Sequence, residues 1–125
     1  MQFPTDLFYT KDHLWVRFEG NIATLGVTAF FADEHSVMSL EPMDSSVNVG
    51  AVFLSFIDIG GAVFEFHYPV AGTDTEYNED AFSRLIGQWI EDPYGRDWLV
   101  KVTLKNPASR AGLLTAAQYR ALIGK

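Results

Sequence analysis

The spacing of the apolar runs constrains this chain most. Short stretches rich in Val, Ile, Phe, Tyr and Trp recur along it: Leu14–Gly20, Ile22–Thr28, Val37–Glu41, Ala51–Ile59, Ala62–Tyr68, Thr73–Tyr77 and Asp97–Leu104. Turn signals interrupt them about every eight to twelve residues, the pattern of a β-sandwich or barrel. Gly20-Asn21 has hairpin chemistry. In the return strand, Ile22, Thr24 and Gly26 alternate with Ala23, Leu25 and Val27, so the two sets face opposite sides. Helices decorate this framework. Thr28 caps a short one over Ala29–Ser36, and Asn78 caps a longer one. In the longer helix, Phe82, Leu85, Ile86, Trp89 and Ile90 fall on one predicted apolar face. Thr115 is a further cap within one or two C-terminal helices. Met43–Gly50 is a turn-rich connection. The 125 residues, 48% of them apolar, favour one domain over 1–125.

The two longest strands meet at Gly60-Gly61. A two-residue turn there would pair Ile59 with Ala62, Ile57 with Phe64 and Ser55 with Phe66 on one face. Asp58–Val63, Phe56–Glu65 and Leu54–His67 would share the other. On that reading Phe56 lies between Asp58 and Glu65, an apolar patch rimmed by acids, as at a protein–protein surface. Val63 is the apolar residue of that face expected to be free for contact. Asp58, Val63 and Glu65 are therefore the candidate partner-binding residues.

Several function classes drop out. Sixteen acids against nine bases give a net charge of −7, and no basic cluster is present, so a nucleic-acid surface is not expected. There is no cysteine, which removes disulfides, thiolate metal sites and cysteine nucleophiles. His13, His35 and His67 show no HxH or HxxxH spacing, and no metal site is expected. Asp33, Glu34 and His35 adjoin, but a solvated helix face explains them better than acid–base chemistry. Neither G-x-S-x-G, a P-loop nor GxGxxG occurs. No catalytic residue is expected. The N-terminus shows no signal-peptide pattern and no run reaches membrane-spanning length, so the expected location is the cytoplasm.

Three blocks carry a family resemblance: "YTKDHLWVRFEGNIATLGVT" (Tyr9 to Thr28), "PVAG" (Pro69 to Gly72) followed by Asn78-Glu79, and "EDPYGRDWLVKVTL" (Glu91 to Leu104). In this order and spacing they resemble the H protein of the glycine cleavage system. Asp97 stands where that family usually has a second glycine. The resemblance implies a mostly β fold with flanking helices, a lipoyl/biotinyl-like β-sandwich or barrel-sandwich hybrid.

It also implies a lysine at a hairpin tip that carries lipoate through an amide, the arm then moving an aminomethyl group between enzymes. Counting back from Pro69 puts that lysine at Gly61; counting forward from Gly50–Phe53 puts it at Gly60. Either position is glycine, which has no atom to form the amide. Asp58 and Ala62 echo the acid and alanine around the family's site. The family's Leu-Gly-Asp turn is shortened within Phe30–Pro42. The chain therefore reads as a non-lipoylated, H-protein-like paralogue without cofactor. It is expected to dock to a protein partner, an enzyme of glycine cleavage or lipoate metabolism. The alternatives are a working aminomethyl carrier and, last, an independent enzyme.

Overall fold

In the computed structural model, which describes residues 2–43 and 46–125, antiparallel pairing builds two sheets. β1 (Phe8–Tyr9), β2 (Leu14–Glu19) and β3 (Ile22–Val27) come first, followed by α1 (Ala29–Glu34) and β4 (Val37–Pro42). β5 (Val52–Asp58), β6 (Val63–His67) and β7 (Gly72–Tyr77) precede α2 (Glu79–Arg84), β8 (Val100–Leu104) and α3 (Ala116–Ile123). One sheet has the order β1-β2-β3-β8-β7, the other β4-β5-β6. The expected β-sandwich with flanking helices is the observed architecture. Asp44 and Ser45, within the expected Met43–Gly50 connection, lie outside the described residues.

The first hairpin follows its sequence closely. Glu19 pairs with Ile22 across Gly20-Asn21, and Gly20 takes φ +61, the positive φ a tight hairpin needs at its first central position. The expected alternation in β3 is also present. Ala23, Leu25 and Val27 enter the main core between the sheets, with Leu14, Phe53, Phe56 and Leu99. Gly26 faces the other way, opposite Trp15. A Cβ at position 26 would stand 2.6 Å from the indole ring, so the missing side chain is what lets Trp15 lie flat on the sheet. The Trp15 indole N–H donates to the Pro93 carbonyl at 2.8 Å. Around Trp15 a second apolar cluster forms from Leu7, Tyr9, Ala116 and Tyr119, so β3 is covered on both faces.

The helix starts match the expected caps. Thr28 accepts from the Phe31 N–H and Asn78 from the Ala81 N–H. Thr115 and Gln118 form a reciprocal capping box at α3.

The predicted stripe through Ile90 is not a single helical face. α2 stops at Arg84, and Gly87 takes φ +77. Leu85 and Ile90 are buried, while Ile86 and Trp89 are about half exposed. The cause is tertiary. The Gly87 N–H donates to the Val37 carbonyl at 2.7 Å, and the Val37 N–H to the Gln88 carbonyl at 2.8 Å. The chain after α2 thus satisfies open backbone groups at the edge of β4, which a continued helix could not do.

Candidate functional site

The β5–β6 hairpin is the site to which the sequence points. Its register differs by one residue from the two-residue expectation. Ile57 pairs with Val63, Phe56 with Phe64, Ser55 with Glu65 and Leu54 with Phe66. The loop is Ile59-Gly60-Gly61. The Gly61 N–H donates to the Asp58 carbonyl and the Asp58 N–H to the Ala62 carbonyl, both at 2.9 Å. Gly61 takes φ +89, whereas Gly60 has no positive φ. This is the three-residue hairpin loop in which a turn is followed by a left-handed glycine. Positive φ in the glycine pair was expected; the two-residue turn was not the right loop.

Asp58 explains the longer loop. Its Oδ1 accepts from the Ala62 N–H at 3.0 Å, and its Oδ2 lies 2.8 Å from His35 Nδ1. The bond from His35 holds the Asp58 carboxyl below its ordinary value of 3.8. One carboxylate thus joins the tip to the end of α1. The Ile59 N–H adds a bond to the Ser36 carbonyl at 3.3 Å.

A one-residue slip reverses which side chains share a face. Phe56, Phe64 and Phe66 now point together at Phe31, with ring centroids 5.1–5.3 Å away. His35 lies between Phe31 and Phe64, 4.5 and 4.6 Å from their ring centroids. The acid-rimmed patch centred on Phe56 therefore does not form, because Phe56 is fully buried. Of the three candidates, Val63 and Glu65 stand on the outer face, and Asp58 turns inward to His35. Val63 is 60% exposed and Ile59 58%, with Met38 of the bulged strand β4 also exposed. This outer face carries apolar side chains with Glu41 and Glu65 beside them.

The sequence missed the His35–Asp58 pair, whose members are 23 residues apart with no local motif to link them. It also missed a chain of hydrogen bonds centred on the Tyr119 hydroxyl. His13 Nδ1 and Thr28 Oγ1 each lie 2.8 Å from the Tyr119 hydroxyl. His13 takes φ +73, rare for a side chain with a Cβ, and burial pushes its pKa below 6.5. Burial pushes Tyr119 up to about 12. His67 lies 3.9 Å from Asp12. Among the described residues no group of three His, Asp or Glu side chains could hold a metal ion. Asp97, at the unusual position in its block, is fully buried. Its Oδ1 lies 2.7 Å from Arg84 Nη2, and its Oδ2 accepts from the Asp92 N–H at 3.1 Å.

The two sheets, with a hairpin projecting from the smaller one, define the fold of lipoyl-carrier-type domains. A solved glycine cleavage system H protein from Mycobacterium marinum shares it, with a TM-score of 0.79 over 98% of this chain and 99% of that one, at 23% identity. A profile of the glycine cleavage H-protein family matches residues 7–125. Proteins named glycine cleavage system H protein from a Cyanothece species and from Chlorobium limicola are each 37% identical to the chain. The first similarity covers 98% of this chain and 96% of the relative, and the second all of both. The chain belongs to the glycine cleavage H-protein family. That family is one of carrier proteins, not of enzymes.

Proposed function

We propose that this family member is a protein-binding module that works without covalently held lipoate, as a single H-protein-like domain over residues 1–125. One observation carries the reading: the hairpin tip is Ile59-Gly60-Gly61, closed by the Asp58 carboxylate. Attachment of lipoate needs a primary amine on a long stem at an exposed turn. No side chain of this tip offers one, so the tip does not fit the group. What the outer face offers is contact: Val63 is exposed next to the row of Glu41 and Glu65, and Ile59 is exposed at the tip. Its partner is a protein with an apolar centre and a basic rim, an enzyme of glycine cleavage or lipoate metabolism, met in the cytoplasm.

The second reading is a working aminomethyl carrier, and the full-length similarity to proteins of that name favours it. It would need another lysine or a ligand held non-covalently. Lys101 lies over the Trp98 ring, 4.7 Å from its centroid, which leaves exposed Lys11 and Lys105, both at bends of the chain, and Lys125 at its end. Co-expression with a lipoate ligase followed by intact mass spectrometry separates the two. The expected product is unmodified protein. A lipoyl mass mapped to Lys11, Lys105 or Lys125 would establish the carrier and end the first reading.

A further inference from the structure

Three tryptophans occupy this chain, and two of them carry one of its own cations over the ring. The Arg17 guanidinium lies 4.8 Å from the Trp15 centroid and the Lys101 ammonium 4.7 Å from that of Trp98. Arg110 lies over Phe18 at 3.5 Å in the same manner. Among the described residues no cation lies over Trp89, which is 53% exposed.

Trp89 lines an open groove of about 510 Å³ between α1 and the segment that follows α2. Ala29, Ala32, Ile90 and Pro93 supply its apolar surface, and Asp33 and Glu91 supply carboxylates. Both acids are exposed. Neither is ion-paired among the described residues, where the ion-paired carboxylates are Asp12, Asp58, Asp80 and Asp97. Burying such a groove against an apolar surface alone would strand both charges. An uncharged ligand would leave the indole face and the two carboxylates without their preferred counterpart.

We propose that this groove binds an arginine side chain presented by a partner protein. The guanidinium stacks on the Trp89 ring while its N–H groups reach Asp33 and Glu91, and its methylenes lie along Ala32 and Ile90. Arginine suits the site better than lysine because a planar cation can stack and donate to two carboxylates at once. The net charge of −7 favours approach of such a basic segment. This inference stands apart from the hairpin reading, since neither Val63 nor the loop lines the groove.

The test uses the whole chain, ¹⁵N-labelled, titrated with the capped peptide acetyl-Gly-Gly-Arg-Gly-Gly-amide. The Trp89 indole N–H resonance is assigned by its loss in Trp89→Phe. Saturable movement of that resonance is expected, about tenfold weaker for the same peptide with citrulline, which keeps the shape and removes the charge. A chain carrying both Asp33→Asn and Glu91→Gln should lose about tenfold in affinity with an unchanged melting temperature. If that chain melts earlier, the citrulline comparison on the parent decides alone. A stationary Trp89 resonance, equal binding of the citrulline peptide, or full affinity in the stably folded double variant would each overturn the assignment.

Discussion

β3 and the β5–β6 hairpin are both antiparallel and both rich in apolar residues, yet they sit in opposite environments. β3 is covered on one face by the core between the sheets and on the other by Trp15 and α3. The hairpin is covered on its inner face by Phe31 and the core, while its outer face leaves Ile59 and Val63 exposed. Apolar content therefore does not distinguish the two; the number of covered faces does. A doubly covered strand is committed to stability. A singly covered one keeps a surface whose residues can change at small energetic cost.

The comparison breaks most visibly at Trp15. Replacing it with Ala should cost about 3–5 kcal/mol in chemical denaturation, because a fully buried indole and its bond to Pro93 are lost together. A cost under about 1 kcal/mol would mean that the second cluster contributes little. Tyr119→Phe should cost about 1–2 kcal/mol by the same measurement, since His13 and Thr28 lose their shared partner.

His13 adds a pH dependence to this region. Its folded pKa lies below 6.5, so the unfolded chain binds the proton more readily. Stability should then fall as pH drops below about 6.5 and the unfolded form takes up that proton. His13→Asn, which tolerates a positive φ, should flatten that slope in denaturation series between about pH 5 and 7. An unchanged slope would assign the effect to other groups.

At the tip the expected changes are smaller. Gly61→Ala should cost about 1 kcal/mol because alanine is strained at φ +89, and Gly60→Ala should cost less, because its Cβ meets only Asp58 Oδ1, at 3.3 Å, with no positive φ to strain it. Equal costs would contradict the three-residue loop. Val63→Asp should move stability by no more than about 0.5 kcal/mol while reducing recovery of cellular partners in pull-downs. Unchanged recovery with an unchanged melting temperature would remove this face from the interface, and a large loss of stability would place Val63 in a core.

Much of the architecture could be read from local chemistry. The cap residues Thr28, Asn78 and Thr115 satisfy the first N–H groups of their helices within three residues, so their signal is complete in the sequence. The Gly20-Asn21 turn and the alternation of β3 are equally local, and the three blocks that resemble the H-protein family span most of the chain. The same nearness made the absence of an amine at Gly60 and Gly61 visible without coordinates.

What tertiary structure alone decided were choices between local options of similar energy. The glycine pair suits a two- or a three-residue loop; the bonds from Asp58 to Ala62 and His35 select the second, and with it which side chains face outward. Leu85 to Ile90 suit a helical face, but the open backbone groups of Val37 draw Gly87 and Gln88 into pairing and turn Trp89 toward solvent. Each selecting partner lies far away along the chain or is a backbone group common to every residue. Sequence spacing carries no trace of either, because the bond exists only once the chain has folded back on itself.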